Sequence, residues 1–482
     1  PMRFSAVYQL VHFYFLFLRR RVLGRGVLAN RPIRYGAFFG VLALYAGYVL
    51  LSISVVRQTF NNPEIIAPIL EGMGISSIFW VAAFYTIVRI LFLKADELTE
   101  LTYTLPATNK ERLIASVVFE MLLVGTATIA LSSALAIACS IVVGWKAAEL
   151  FLFGVVSPAL VTYLILLVIH LGVEQLLALV GMARLRGLVI PALLAGLMAV
   201  AFSLMRDQSI EYMRIRLLED TAPWVPQLAF LRIEEAIGGP LGAAGAVLAL
   251  LGVCGLLLAL AIAIAPKDYT PLRSYFLALP GSLANTRFGA LVLMQFRSFE
   301  NQFVLVSAVV AAFAIPWKSW NAPPAYIMLP AFLGIYAYAS SEPLRRLTPF
   351  RQSAGVFYLQ LIGSQATIML ALGAVLGTVY LAQGGQLSDI LTVFGFGLVS
   401  IVMTNLVGII FPPEKGNPFS VVIGVILLLS VVATFALGLN MFGLPTEVNV
   451  TIIAVLLGFA VFFSVLGISR NEKGVRHEMV HL

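Results

Sequence analysis

The sequence predicts an all-α, polytopic membrane protein of about twelve transmembrane helices, built as two parallel six-helix repeats. Three observations carry this expectation. Of 482 residues, 60% are apolar and only 11% charged, with mean hydropathy +0.98, whereas a soluble domain carries about 25% charged residues. Apolar runs near the ~20 residues that a spanning helix needs recur along the chain. They fall into two sets of six with a basic segment between them. Such a composition excludes a soluble domain, a disordered chain, collagen and a disulfide scaffold. Cys139 and Cys254 both lie inside apolar runs and read as small buried residues, not as a disulfide or metal pair.

Residues 1–35 open the chain with a basic amphipathic stretch, Tyr14 to Arg20. Its apolar part, Val11 to Leu18, is short, ends at Arg19-Arg20-Arg21 and lacks a small-residue cleavage site, so no cleavable signal peptide is predicted. The first half, 36–265, holds runs at 36–56, 75–93, 113–142, 149–181, 187–205 and 240–265. A cytoplasmic linker and second amphipathic helix, 266–301, include Met294 to Phe299. The second half, 302–468, holds runs at 302–319, 325–340, 356–381, 388–411, 419–438 and 449–468, and 469–482 is a cytoplasmic tail.

With both termini in the cytoplasm, 24 of the 31 Lys and Arg residues lie on the inner side. Arg57, Lys146, Arg206, Arg214, Arg216, Arg232 and Lys318 lie outside. The positive-inside bias fixes this orientation in a bacterial inner or plasma membrane. The net charge of +8 then faces anionic lipid, and no nucleic-acid partner is needed.

The halves share a plan. A polar cytoplasmic loop follows the second run of each: Glu100-Leu101-Thr102-Tyr103-Thr104-Leu105-Pro106 and Glu342-Pro343-Leu344-Arg345-Arg346-Leu347, with Pro349 close behind. Six spans return the chain to the same side, so the repeats are parallel. They are unequal, because the outer segment Arg206–Gly239 is long, with Trp224-Val225-Pro226 and an amphipathic Leu228–Ile237, while Gly438–Asn449 is short.

Several motifs bear on chemistry. The chain has no Gly-Lys dipeptide, so it lacks a phosphate-binding P-loop. His477-Glu478-Met479-Val480-His481 fits a zinc-protease pattern, but it sits at a chain end with no third ligand following. His170 and Glu174, with Gln175 beside them, lie in the fourth run; Glu120 lies in the third, and Gln360 and Gln365 in the ninth. Polar residues at such depth line a substrate path or hydrogen-bond helices together, and the sequence leaves both open. Arg89, at the inner end of the second run, is expected to snorkel to the headgroups. Glu234-Glu235 lacks the companions of an intramembrane protease pair. The short polar helix of Glu97, Glu100, Leu101, Tyr103, Leu105 and Pro106 suits a groove on a soluble partner. Its counterpart is Glu342, Leu344, Arg345, Arg346 and Leu347.

This layout resembles the permease of an ATP-binding-cassette exporter of the type-2 family. The likeness rests on six spans per half, a basic amphipathic helix before the first, and a coupling loop between the second and third. It also rests on Leu105-Pro106-Ala107-Thr108-Asn109-Lys110-Glu111-Arg112 and on Trp224-Val225-Pro226-Gln227-Leu228. In the second half Leu347-Thr348-Pro349 shifts the proline. The resemblance implies two ATPase partner subunits that bind ATP and Mg, no cofactor in this chain, and export of a small lipophilic, peptide or lipid substrate. The alternatives are a secondary transporter of the major-facilitator type and, less well supported, an integral membrane enzyme. The first would want a basic motif where Ala95-Asp96-Glu97-Leu98-Thr99-Glu100 stands, and the second a clustered catalytic set. Because a chain-end motif cannot shape a zinc site, deleting 474–482 should leave bound metal unchanged by elemental analysis. A stoichiometric zinc lost on that truncation would refute the reading.

Overall fold

The computed structural model describes residues 3–23, 31–59, 63–91, 102, 104–182, 186–219, 222–265, 285–297, 299–317, 324–346, 352–410 and 446–480. Among these, every regular element is helical. Among the described residues, eight helices are long and apolar enough to cross a membrane. Six of them cover the first six predicted runs, and two cover the ninth and tenth. Shorter apolar helices, Val304–Ala314, Ala325–Ser340 and Ala454–Arg470, stand at the seventh, eighth and twelfth. The predicted run 419–438 lies outside the described residues.

The chain divides into two compact units, Pro1–Arg186 with Gly196–Leu272, and Gly187–Ala195 with Arg273–Leu482. The first begins with α1 (Phe4–Leu23), α2 (Arg31–Thr59), α3 (Pro63–Leu91) and α4 (Asn109–Val143). It continues through α5 (Trp145–Phe151), a π-helical turn (Leu152–Val156), α6 (Ser157–Leu179) and α7 (Arg186–Leu218), of which Gly187–Ala195 are grouped with the second unit. A 3₁₀ turn (Pro226–Leu228), α8 (Ala229–Ile237) and α9 (Gly239–Ile264) complete it. Helix α3 packs against both α4 and α6. It starts twelve residues earlier than the predicted run at 75, because Pro63 opens a turn that carries Ile66 and Leu70 into the core. The fourth run is one helical path broken by the π turn, and α7 continues to Leu218 through much of the expected outer loop.

The π turn lies where α3 comes closest. A Cβ on Gly74 would fall 1.8 Å from the Gly154 carbonyl oxygen and 3.2 Å from Leu228. Only glycine permits this approach, the small-residue contact by which apolar helices associate in lipid. Leu228 and Leu231, both buried, fill the space beside it with Ile75, Phe153 and Ala246. The amphipathic stretch expected at 228–237 is thus a short helix seated on the bundle. Gly238 and Gly239, at φ 74° and 60°, turn the chain from α8 into α9.

The second unit holds α10 (Arg287–Arg297), α11 (Phe299–Trp317), a 3₁₀ segment (Ala325–Leu333), α12 (Gly334–Ser340) and α13 (Glu342–Arg346). Then come α14 (Ala354–Ala382), α15 (Leu387–Ile410) and α16 (Thr446–Val480). The eighth predicted run is irregular because Pro330 lacks the N–H that an α-helix needs. Thr404 Oγ1 on α15 donates to the Ala331 carbonyl at 2.8 Å, meeting one acceptor of that segment. Gly408 lets α15 approach α12, since a Cβ there would lie 2.3 Å from Ile335 O. Helix α16 continues into the expected tail, carrying His477 to Val480 as helix, and His481 lies outside the described residues.

The Gly74 contact gives a stability test. Gly74→Ala is expected to destabilise the protein by about 1–3 kcal/mol, the range of overpacking. Gly172→Ala, with nothing within 4 Å of the new methyl, should be neutral or slightly stabilising. Thermal unfolding of both variants in detergent makes the comparison.

Candidate functional site: a buried charged cluster and the limb it fixes

Helix α3 brings Tyr85 and Arg89, on one face four residues apart, to the end where α4 begins. There Arg89 Nη2 lies 2.9 Å from Glu120 Oε2, and the Glu120 side chain is fully buried. Ser116, one turn earlier on α4, donates to Glu120 Oε1 at 3.0 Å. The Arg89 guanidinium also stands over the Tyr85 ring, 5.4 Å from its centre. Helix α6 closes the cluster with Tyr163, His170 and Glu174. The Tyr163 ring meets Tyr85 edge to face at 5.8 Å, and its hydroxyl donates to Val117 O at 3.1 Å. His170 stands edge to face with Tyr85 at 6.1 Å and holds Glu174 Oε1 at 3.2 Å through Nε2. His170 and Glu174 side chains are 4% and 9% exposed, so the pair lies inside the helix contact.

The sequence marks His170, Glu174 and Glu120, which meet here, as polar groups in apolar runs. It misplaces Arg89, which faces inward to an ion pair instead of reaching for headgroups. In a low-dielectric interior the carboxylate partner outweighs the headgroups. Gln175 is half-buried on α6 beside this pair. Tyr85 and Tyr163 carry no sequence signal, because aromatic residues are common in apolar helices.

The ion pair also fixes a limb. Glu120 is level with the last described turn of α3, and α4 starts eleven residues earlier, so about 16 Å of α4 stands beyond it. On that extension α1 lays Val7, Leu10 and Tyr14 against Ala115 and Phe119. At its base Thr108 and Glu111 form a reciprocal capping box. The Glu111 carboxylate also accepts from the Arg3 backbone N–H at 2.8 Å, while the Arg3 guanidinium donates to Pro106 O at 2.7 Å. Arg112 folds back to donate to Thr102 O at 2.9 Å and Leu105 O at 3.0 Å. The run 105–112 is therefore a rigid corner bolted to α1, with Leu105, Pro106, Phe4 and Tyr8 exposed around it. Arg3 went unmarked in the sequence, because its partners Pro106 and Glu111 lie more than 100 residues away. Glu97, Glu100, Leu101 and Tyr103 lie outside the described residues.

The corresponding loop of the second unit is occupied differently. Arg345 stacks its guanidinium 3.9 Å from the Tyr338 ring centre and donates to the Tyr338 hydroxyl at 2.8 Å. Leu344 is half-buried against the core of Leu291, Tyr338 and Phe357. Leu344 and Arg345, expected at a partner's groove, thus both contact their own chain. Glu342 is half-buried, Arg346 closes α13, and Leu347 lies outside the described residues.

Among the described residues, the fully buried side-chain hydrogen bonds of the second unit join uncharged groups. Asn405 Nδ2 donates to Ile401 O and to Gln365 Oε1, both at 2.7 Å, and Gln295 Nε2 donates to Ser364 Oγ at 2.9 Å. Gln365 thus binds across helices, whereas Gln360, on the same helix α14, is half-buried.

A second charged cluster lies at the opposite end of α3. Glu71, 1% exposed, accepts from the Tyr212 hydroxyl at 2.5 Å, with Arg216 Nε at 3.4 Å and Arg232 Nη2 at 3.6 Å. Arg232 also pairs with Glu235. Helices α3, α7 and α8 are thereby tied by charge at one point. Beside it, burial, with Glu149 and Glu235 nearby, pushes the Glu234 carboxyl above its ordinary range. Glu71 was missed because the second run was started after it; Pro63 and the apolar stretch 65–70 were the available signal. Among the described residues, no group of three or more His, Cys, Asp or Glu side chains could hold a metal. Comparison with protein-family models, curated proteins and solved structures returns no match.

Removing one member of a buried ion pair costs about 3–5 kcal/mol, because the other charge is left uncompensated. Glu120→Gln is expected to fall in that range by equilibrium unfolding in detergent. Adding Arg89→Met should restore most of the loss. A double variant no more stable than Glu120→Gln would show that the pair is not the stabilising unit.

Proposed function

We propose that this chain is the permease subunit of an ATP-driven exporter of the type-2 ATP-binding-cassette class, moving a lipophilic or amphipathic substrate. Two separate ATPase subunits would bind ATP and Mg and supply the work. The reading places twelve spans in two parallel repeats in the cell membrane, with both termini cytoplasmic. The observation that supports it most is the limb of α1 and the first turns of α4. It is rigid, it stands past the end of α3, and it carries exposed apolar side chains, Phe4, Tyr8 and Leu105. Energy passed between two proteins needs a projection that moves as one piece, and internal hydrogen bonds from Arg3, Glu111 and Arg112 make this limb one piece. Positive-inside counting puts it in the cytoplasm. Trp145 and Trp224, exposed at the opposite end of the first unit, suit an outer interfacial belt. Absence of a P-loop from the sequence agrees with an ATPase on another polypeptide.

A secondary transporter is the second reading, and one observation favours it. Ionisable groups from three helices converge inside the first unit, an arrangement suited to ion-coupled transport.

The two readings part on partner binding. A tagged chain purified from its native membrane should retain a P-loop ATPase, and freed of that partner it should hydrolyse no ATP. Leu105→Asp and Phe4→Asp should each weaken retention at least about tenfold, as loss of an interface anchor does, and reduce ATP-driven transport in proteoliposomes in step. Normal retention and transport in both variants would defeat the permease reading and move the secondary transporter ahead.

A further inference from the structure

The amide pair of Gln365 and Asn405, in the second unit, is held in a way that leaves two polar atoms unmatched. Both residues are buried, at 3% and 0% exposure. Asn405 Nδ2 gives its two hydrogens to Ile401 O and to Gln365 Oε1, each at 2.7 Å. Exchanging Nδ2 with Oδ1 would set Oδ1 against the Ile401 carbonyl oxygen, acceptor facing acceptor, so the Asn405 amide has one orientation. Gln365 then has to present Oε1, because its Nε2 would meet a second donor. The acceptor Asn405 Oδ1 and the donor Gln365 Nε2 remain, and among the described residues neither has a hydrogen-bond partner.

The hydroxyls on these helices are already engaged. Thr404 has a single hydrogen to give, and Ala331 O, Ser400 O and Ile401 O all lie within 3.2 Å of its oxygen. Ser364 donates to Leu361 O at 2.8 Å and accepts from Gln295. Gly334 closes one side of the pair, since a Cβ there would fall 2.2 Å from Thr404 Oγ1 and 3.0 Å from Asn405 Nδ2. Ala331 and Ile401 belong to an apolar cluster with Met369, against which Ala366 and Phe394 pack. Met369 stands one turn from Gln365 on α14 and lies over Gly397, where a Cβ would be 2.5 Å from its sulfur. Its unbranched thioether is the side chain of this cluster that changes rotamer most readily.

We infer that Gln365 and Asn405 form a binding subsite for an uncharged hydroxyl or carboxamide at the head of an otherwise apolar molecule. The head group accepts from Gln365 Nε2 and donates to Asn405 Oδ1, and a hydroxyl or a primary amide does both. An ether accepts without donating and leaves Oδ1 unmet. A carboxylate or an ammonium brings charge to side chains that carry none, at the cost of burying it unpaired. Rotation of Met369 makes room for the head group, and Ile401 and Phe394 supply apolar surface beside it. This gives the lipophilic cargo proposed above a chemical class and rests on that reading, although binding itself needs no ATPase.

The test uses the full chain, purified free of any ATPase and placed in lipid nanodiscs. The probe is a dodecanol that carries a photoactivatable diazirine near its hydroxyl, and illumination should label the chain within 362–369 and 394–405. Unlabelled dodecanol and dodecanamide should compete at least about tenfold better than methyl dodecyl ether, dodecanoate or dodecylammonium, because a buried polar group left unpaired rejects the analogue that cannot meet it. Gln365→Met removes the donor at similar volume and should abolish this preference, so that alcohol and ether compete alike. Equal competition by all of these compounds on the wild type would overturn the subsite. So would a preference that persists in Gln365→Met while thermal unfolding falls, the result expected of a residue that only joins helices. If Gln365→Met does not purify folded, the wild-type ranking and the labelled positions decide. Loss of ATPase retention in the limb variants leaves this result standing, and failure here leaves the ATPase test standing, so the two readings fail separately.

Discussion

The first unit is organised around the ion pair of Arg89 and Glu120. Each charge alone would be expelled from an apolar interior, so each is held there only by the other. Because the two side chains sit on different helices, that requirement also sets the level of α4 against α3. The remaining features follow in sequence. Helix α4 has to extend past α3, its extension needs a covering, and α1 supplies one with Val7, Leu10 and Tyr14. The corner at Pro106 is then closed by Arg3, Glu111 and Arg112, whose partners are carbonyls and a carboxylate that the same extension presents.

The two units meet a shared constraint by different chemistry. In hydrocarbon every backbone and side-chain polar group has to be satisfied from within. The first unit uses charge, with Glu71 at one end of α3 and Arg89 at the other, 18 residues and roughly 27 Å apart. That separation is close to the thickness of a bilayer core. The second unit uses neutral amides and hydroxyls, Gln295 with Ser364, Gln365 with Asn405, and Thr404 with the carbonyl of Ala331. Neutral pairs cost less to bury, and they tolerate the irregular backbone around Pro330.

Glycine has a separate part in both units. Gly74 against Gly154, and Gly408 against Ile335, allow backbones to meet where a side chain would hold them apart. In water such contacts would be secondary to burial of large side chains. Between helices already surrounded by lipid, close packing is the main attraction available. The placement of α8 over the Gly74 contact, tied by Glu71, Tyr212 and Arg232, uses that close packing and the outer charge cluster together.

Composition and the recurrence of apolar runs determined the membrane class and the helical content, because both depend on average hydropathy and length and not on which residues touch. They located the first six spans and the amphipathic 228–237 segment, and they marked Glu120, His170 and Glu174 as polar groups out of place. The i,i+4 spacing of His170 and Glu174 made their contact legible as well, since helix geometry alone brings them together. Arg89 could not be paired from sequence, nor could Glu71, Tyr212 and Arg232, because no periodicity links residues on separate helices. The inward turn of Arg345 onto Tyr338 was likewise hidden, since a surface loop and a capped helix end read alike until the neighbouring ring is placed. Only the tertiary structure decided which buried charges meet, because a charge in a low-dielectric interior selects its partner by distance in space, and the sequence records only distance along the chain.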